Sequence, residues 1–98
     1  IGRLPVTEGD LDSGGRDHNG QGFSTWLAGG GFKPGIVYGE TDEVGHRAAV
    51  NKVTANDFQA TLLHQFGIDY QKLFFFHNGQ QQQLTNGRPA RVVKDILA

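Results

Sequence analysis

The 98-residue chain has no cysteine. Disulfide scaffolds, thiolate metal sites and cysteine nucleophiles are therefore excluded. The compartment stays open, because exported proteins can also lack cysteine. No apolar run approaches the roughly 18 residues that a membrane-crossing helix needs. Charge of one sign is lacking too: nine Lys and Arg stand against ten Asp and Glu, for a net charge of −1. That balance gives no overall field for nucleic acid. Methionine is absent and the chain starts at Ile1. A complete translated chain normally begins with Met, so the expectation is a processed, trimmed or partial chain.

What the chain has in excess is glycine. The 15 glycines are about double the usual share of roughly 7%. They follow no collagen period and no Gly/Ser tract, so each is expected to serve its own turn or loop. Hydrophobic residues make up 37%, and a chain of this length is one domain at most, with a modest core.

Periodicity singles out one helix. Thr54 with Asp57 three residues on is a capping-box-like start. Phe58, Leu62 and Phe66 recur every four residues, and Gly67 stops the pattern, so a helix is predicted over about 54–66. Ile68 is expected to supply an apolar contact just past its end. Leu73 to His77 reads as a strand, Asn78-Gly79 as a two-residue hairpin turn, and Gln80 to Leu84 as the solvent-facing return arm. Asn86-Gly87 is a second turn signal. Elsewhere, residues 1–22 read as an irregular loop and Phe23–Ala28 as a helical turn stopped by Gly29-Gly30-Gly31. Gly35–Gly39 reads as a short strand, residues 40–52 as polar loop, and Arg91–Leu97 as strand or short helix.

The densest chemistry is Gly15-Arg16-Asp17-His18-Asn19-Gly20. An imidazole is the commonest protein ligand for zinc and similar ions. A neighbouring carboxylate can ligate or orient it, and a guanidinium can clamp an oxyanion. The bland alternative is a solvated loop histidine. Asp42, Glu43 and His46 form a second oxygen-plus-nitrogen group with a polar loop as the plainer reading. His64 is expected at the edge of the helix's apolar face and His77 on the surface. The glycine triplet fits neither phosphate-loop pattern, since Phe32 separates it from Lys33, and no Gly-x-Ser-x-Gly elbow occurs. No complete catalytic set lies in the chain.

The order of motifs is more specific than any one of them. Gly2-Arg3-Leu4-Pro5, Gly15-Arg16-Asp17-His18, Leu27 to Lys33, Val37 to Glu43, Val53 to Leu63 and Gly67-Ile68-Asp69 follow one another. This series resembles the carboxy-terminal part of the sulfatase-like family called Domain of Unknown Function 1501, of the alkaline phosphatase superfamily. The resemblance runs from residue 2 to about 98. It implies an α/β fold in which 1–98 is the incomplete carboxy-terminal segment of a single sulfatase-like domain, an α/β/α sandwich. It implies that the glutamate usually preceding Gly2-Arg3 lies outside the chain.

The resemblance also carries an activity. The longer parent is expected to be a metal-dependent hydrolase acting on small sulfate or phosphate esters. It makes His18 a metal ligand, with zinc or calcium as the divalent ion, and puts Arg16 and Asp17 at the substrate or behind the ligand. It leaves the nucleophile upstream, so that 1–98 alone has no catalytic residue and no activity. Export to the periplasm or outside the cell is implied by the family's frequent leader. The rival expectations are a non-catalytic α+β binding or structural module, and a degenerate homologue without metals.

Overall fold

A computed structural model describes residues 1–7 and 14–98. It contains one α-helix and three two-stranded antiparallel sheets. Part of the predicted loop over 1–22, residues 8–13, lies outside the described residues. The chain divides into two compact units, residues 1–27 with 37–52, and residues 28–36 with 53–98. No helix among the described residues is long and apolar enough to cross a membrane.

The second unit is organised by α1 (Ala55–Gln65). Its first turn has unpaired N–H groups, and the capping box satisfies two of them. The Asp57 N–H donates to the Thr54 hydroxyl (3.1 Å) and the Thr54 N–H donates to the Asp57 carboxylate (3.0 Å). At the other end Gly67 is left-handed, with φ 78°. The Ile68 N–H reaches back to the Leu63 carbonyl (2.9 Å) and the Gly67 N–H to the His64 carbonyl (3.0 Å). That pair of bonds is the Schellman arrangement, in which glycine takes the left-handed position without steric cost.

The buried face of α1 differs from the predicted stripe. Phe58 and Leu62 are half-buried, whereas Phe66 is 80% exposed. The buried positions are Asp57, Ala60 and Thr61. The physical reason is what lies against them, which is backbone that needs acceptors. The Arg91 N–H donates to the Asp57 carboxylate (3.0 Å) and the Val93 N–H to the Thr61 hydroxyl (3.0 Å). Four helical residues rise roughly 6 Å, and two residues of chain span at most roughly 7 Å, so acceptors at i and i+4 match donors two apart. The Thr61 hydroxyl in turn donates to the Asp57 carbonyl (2.7 Å), so both its donor and acceptor capacities are used. Val93 is fully buried beside this pair, and with Ala60 it is the buried apolar side chain of the described residues.

The aromatic hairpin forms as predicted. β5 (Phe74–His77) pairs with β6 (Gln80–Gln83), Phe74 opposite Gln83 and His77 opposite Gln80. Asn78 and Gly79 take φ of 51° and 74°, the left-handed pair that a two-residue hairpin turn demands. Phe74, Phe75, Phe76 and His77 are all exposed. Of the strand or short helix expected over 91–97, a short helix forms, the 3-10 turn Lys94–Ile96, after which Leu97 bridges Phe32. The Gly29–Gly31 triplet makes the expected turn, with the Phe32 N–H on the Gly29 carbonyl (3.0 Å).

The first unit departs most from the sequence reading. Phe23–Ala28 is irregular and not a helical turn. The strand expected at Gly35–Gly39 is irregular as well, with Val37 95% exposed. The strand begins only afterwards, as β3 (Glu40–Thr41), and pairs with β4 (Ala48–Val50) inside the stretch read as loop. The arms are too short to show a period of two, which is why the whole stretch reads as loop. β1 (Gly2–Arg3) and β2 (His18–Asn19) pair antiparallel. A side chain at Gly2 would meet the Gly22 carbonyl and Phe23 at 2.9 Å, so only glycine permits this approach.

Candidate functional site

The ladder of β1 and β2 fixes where the Arg16-Asp17-His18 tripeptide lies. Arg3 pairs with His18 and Gly2 with Asn19. The ladder extends by one bond, the Leu4 N–H donating to the Asp17 carbonyl (2.9 Å). The Arg3 guanidinium then donates to the Arg16 carbonyl (3.0 Å). The backbone of all three tripeptide residues is thus engaged with β1 or its continuation. Their side chains stay exposed.

Neighbouring residues of a strand face opposite ways. Asn19 is 2% exposed and His18 is exposed, so the short strand turns the amide inward and the imidazole outward. The buried amide makes two hydrogen bonds. Its NH2 donates to the His46 carbonyl (2.8 Å), and its oxygen accepts from the Gln21 N–H (2.9 Å). The Gln21 carbonyl accepts the Ala48 N–H (2.8 Å). Asn19 therefore joins β2 to the turn between β3 and β4 across 27 residues of chain.

That turn is built on Asp42. Its carboxylate accepts the N–H groups of His46 (2.8 Å) and Arg47 (3.2 Å). The His46 bond is the main reason its carboxyl is held below the usual value. Desolvation opposes that effect, while the Arg47 and Val44 N–H groups and the His46 charge add to it. Both carboxylate oxygens are spent on backbone, which accounts for the Asp42-Glu43-His46 group as turn structure.

His18 has the chemistry of a metal ligand: an exposed imidazole on a strand anchored from its other face. Among the described residues no three or more His, Cys, Asp and Glu are grouped to hold a metal ion. Sequence reasoning singled out Arg16, Asp17 and His18 and missed Asn19. An asparagine before glycine reads as a turn signal. Its alternation with His18 over two residues is too short to reveal burial.

No curated protein and no solved structure matches the chain. A family profile does: that of "Protein of unknown function (DUF1501)" matches residues 1–97. The match spans the same stretch as the ordered motifs from Gly2 to Asp69 and the chain beyond them. The chain belongs to the DUF1501 family.

Proposed function

We propose that the chain is part of a metal-dependent hydrolase of sulfate or phosphate esters, with the α/β/α sandwich of the alkaline phosphatase superfamily completed by the longer parent. His18 is one ligand of a divalent ion, zinc or calcium. Asp17 orients the imidazole, and Arg16 contacts the ester's oxyanion or the loop itself. A divalent metal supplies Lewis-acid polarisation of an ester oxygen. The chain's own part is to hold an imidazole in place and to offer a guanidinium beside it.

One observation carries this reading: an exposed imidazole sits on a strand whose opposite side is fixed by the buried Asn19 amide. A merely solvated histidine needs no such anchor. The exposed Trp26, Val37 and Phe76 support the incomplete-domain part of the proposal, because large apolar side chains at 79–95% exposure suit surfaces covered by further structure. The test is hydrolysis of sulfate and phosphate esters by the longer parent and by its His18→Ala variant. A fall of at least a hundredfold in kcat/KM is expected, on the scale of lost metal-site residues. Unchanged turnover removes His18 from the mechanism. A parent that binds no divalent ion in titration supports the non-catalytic module instead.

A further inference from the structure

A cavity of about 240 Å³ in the second unit is lined by Tyr70, Gln71, Gln83, Thr85, Gly87 and Arg88. Two stretches of chain line it, residues 70–71 and residues 83–88. Asp69 caps the 3-10 turn Tyr70–Lys72, its carboxylate accepting the Gln71 N–H (3.0 Å). The Tyr70 hydroxyl donates to the Ala90 carbonyl (2.7 Å), tying that turn to the chain beyond Arg88. After β6 the chain folds back at Asn86 and Gly87, both left-handed (φ 51° and 75°), and the Arg88 N–H closes the turn on the Thr85 carbonyl (3.0 Å).

We propose that this cavity is an oxyanion site, binding a sulfate or phosphate group, free or as an ester, and independent of His18 and of any metal. The lining holds one formal charge, the Arg88 guanidinium, and no carboxylate. Besides Tyr70, the other lining residues with polar side chains are Gln71, Gln83 and Thr85, two amides and a hydroxyl able to donate. Tyr70 supplies a wall, since its proton is already given to Ala90. Several donors from two stretches of chain suit a tetrahedral group with several oxygens better than a carboxylate, which one guanidinium can satisfy alone. The volume lies below the ~300–1,000 Å³ of pockets for drug-sized molecules, so it takes the anionic group and a few atoms of its carrier. Arg88 is exposed, so binding is weak and weakens further with salt.

The experiment is calorimetric titration of the intact protein with inorganic sulfate, inorganic phosphate, phenyl sulfate and phenyl phosphate, together with crystals soaked in selenate as a heavier sulfate. The expected result is a selenate peak within hydrogen-bond distance of the Arg88 guanidinium and at least a tenfold loss of affinity in Arg88→Gln. His18→Ala leaves both unchanged, which separates this site from the hydrolase reading. Tighter binding of the phenyl esters identifies an esterified ligand, and equal binding identifies the free ion. Gln83→Leu, at an exposed hairpin position, is expected to weaken binding by a smaller factor while keeping the fold. A peak that persists undiminished in Arg88→Gln marks an adventitious ion only and overturns the proposal. So does the absence of any peak at Arg88.

Discussion

The two units solve the same problem, holding a backbone segment with side-chain acceptors and donors, by different routes. In residues 28–36 and 53–98 the helix forms from bonds three to five residues apart, then presents Asp57 and Thr61 to the N–H groups of Arg91 and Val93. Among the described residues of 1–27 and 37–52 no helix serves as such a scaffold. Two ladders of two or three residues are joined by the buried Asn19 amide, across 27 residues, and by the Ala48 N–H on the Gln21 carbonyl. Closing such a loop costs chain entropy before any bond returns it. The lesson is that the helical unit depends on a prepared surface, while the other depends on one buried amide next to the candidate ligand and a backbone bond beside it.

The largest expected effect comes from removing that prepared surface. Asp57 accepts the N–H groups of Thr54 and Arg91 as a charged group, and it is 7% exposed. Asp57→Ala is expected to cost about 2–4 kcal/mol, combining a lost cap with a backbone donor left unpaired. Urea unfolding of the protein measures it. Hydrogen exchange should quicken at Arg91 and Val93 while the amides of Gln21 and Ala48 keep their protection. Equal loss of protection in both sets would show that the two units do not differ in what holds them.

Asn19→Ala is the converse experiment. Its loss leaves the Gln21 N–H and the His46 carbonyl without the amide. The expected cost is about 1–3 kcal/mol, the usual range for unpaired buried groups. Exchange should quicken at Gln21 and Ala48 first and leave Arg91 protected. Asn19→Asp, which sets a buried carboxylate oxygen against the His46 carbonyl, is expected to cost at least as much as alanine. An alanine variant as stable as wild type would refute the anchoring role.

Much of the helical unit was legible in the sequence because its signals are local. Thr54 with Asp57, Gly67, and the two Asn-Gly pairs each act within a few residues, and all appear where expected. The periodicity of Phe58, Leu62 and Phe66 located the helix but not its buried face. That face is set by the distant Arg91 and Val93, and no pattern inside 54–66 reports them. In the other unit the ladder of β1 with β2 is set by contacts far along the chain, and the hairpin of β3 with β4 has arms too short to show a period of two. Hence Glu40–Thr41 and Ala48–Val50 read as loop, and Val37 read as strand. Of the candidate site, residue types were readable at Arg16, Asp17 and His18. The support from Asn19 was not, because burial of one amide in a two-residue strand leaves no period.

Acidity should separate the units less sharply. Burial raises the pKa of Asp57, but the N–H groups of Thr54 and Arg91, the Thr54 hydroxyl and the Arg91 charge together outweigh it, so its carboxyl lies below the usual 3.8. A lowered folded pKa means stability that is fully present above the unfolded value and lost as pH falls through the folded one. One carboxyl can contribute a slope of at most about 1.4 kcal/mol per pH unit in that window. Asp42 is shifted in the same direction, so the turn at His46 should loosen over the same acid range. Urea titrations below pH 4, with Asp57→Asn as the control, test the sign. Rising stability on acidification in the wild type, lost in that variant, would reverse the assignment.

The smallest expected effect on stability is the most informative, because it compares adjacent residues of one strand. His18 is exposed and Asn19 is 2% exposed, and they share the same two-residue ladder. His18→Ala is therefore expected to change unfolding free energy by less than about 0.5 kcal/mol, as exposed substitutions do. On the proposed reading, loss of the imidazole should nonetheless weaken divalent-ion binding, which zinc titration of the two proteins measures. Asn19→Ala should lower ion affinity as well, but only alongside its stability loss. If His18→Ala destabilises as much as Asn19→Ala, the imidazole is part of the unit's structure, and its candidacy as a ligand ends. If neither stability nor ion binding changes, β2 anchors nothing that needs His18, and only Asn19 explains why the strand is held.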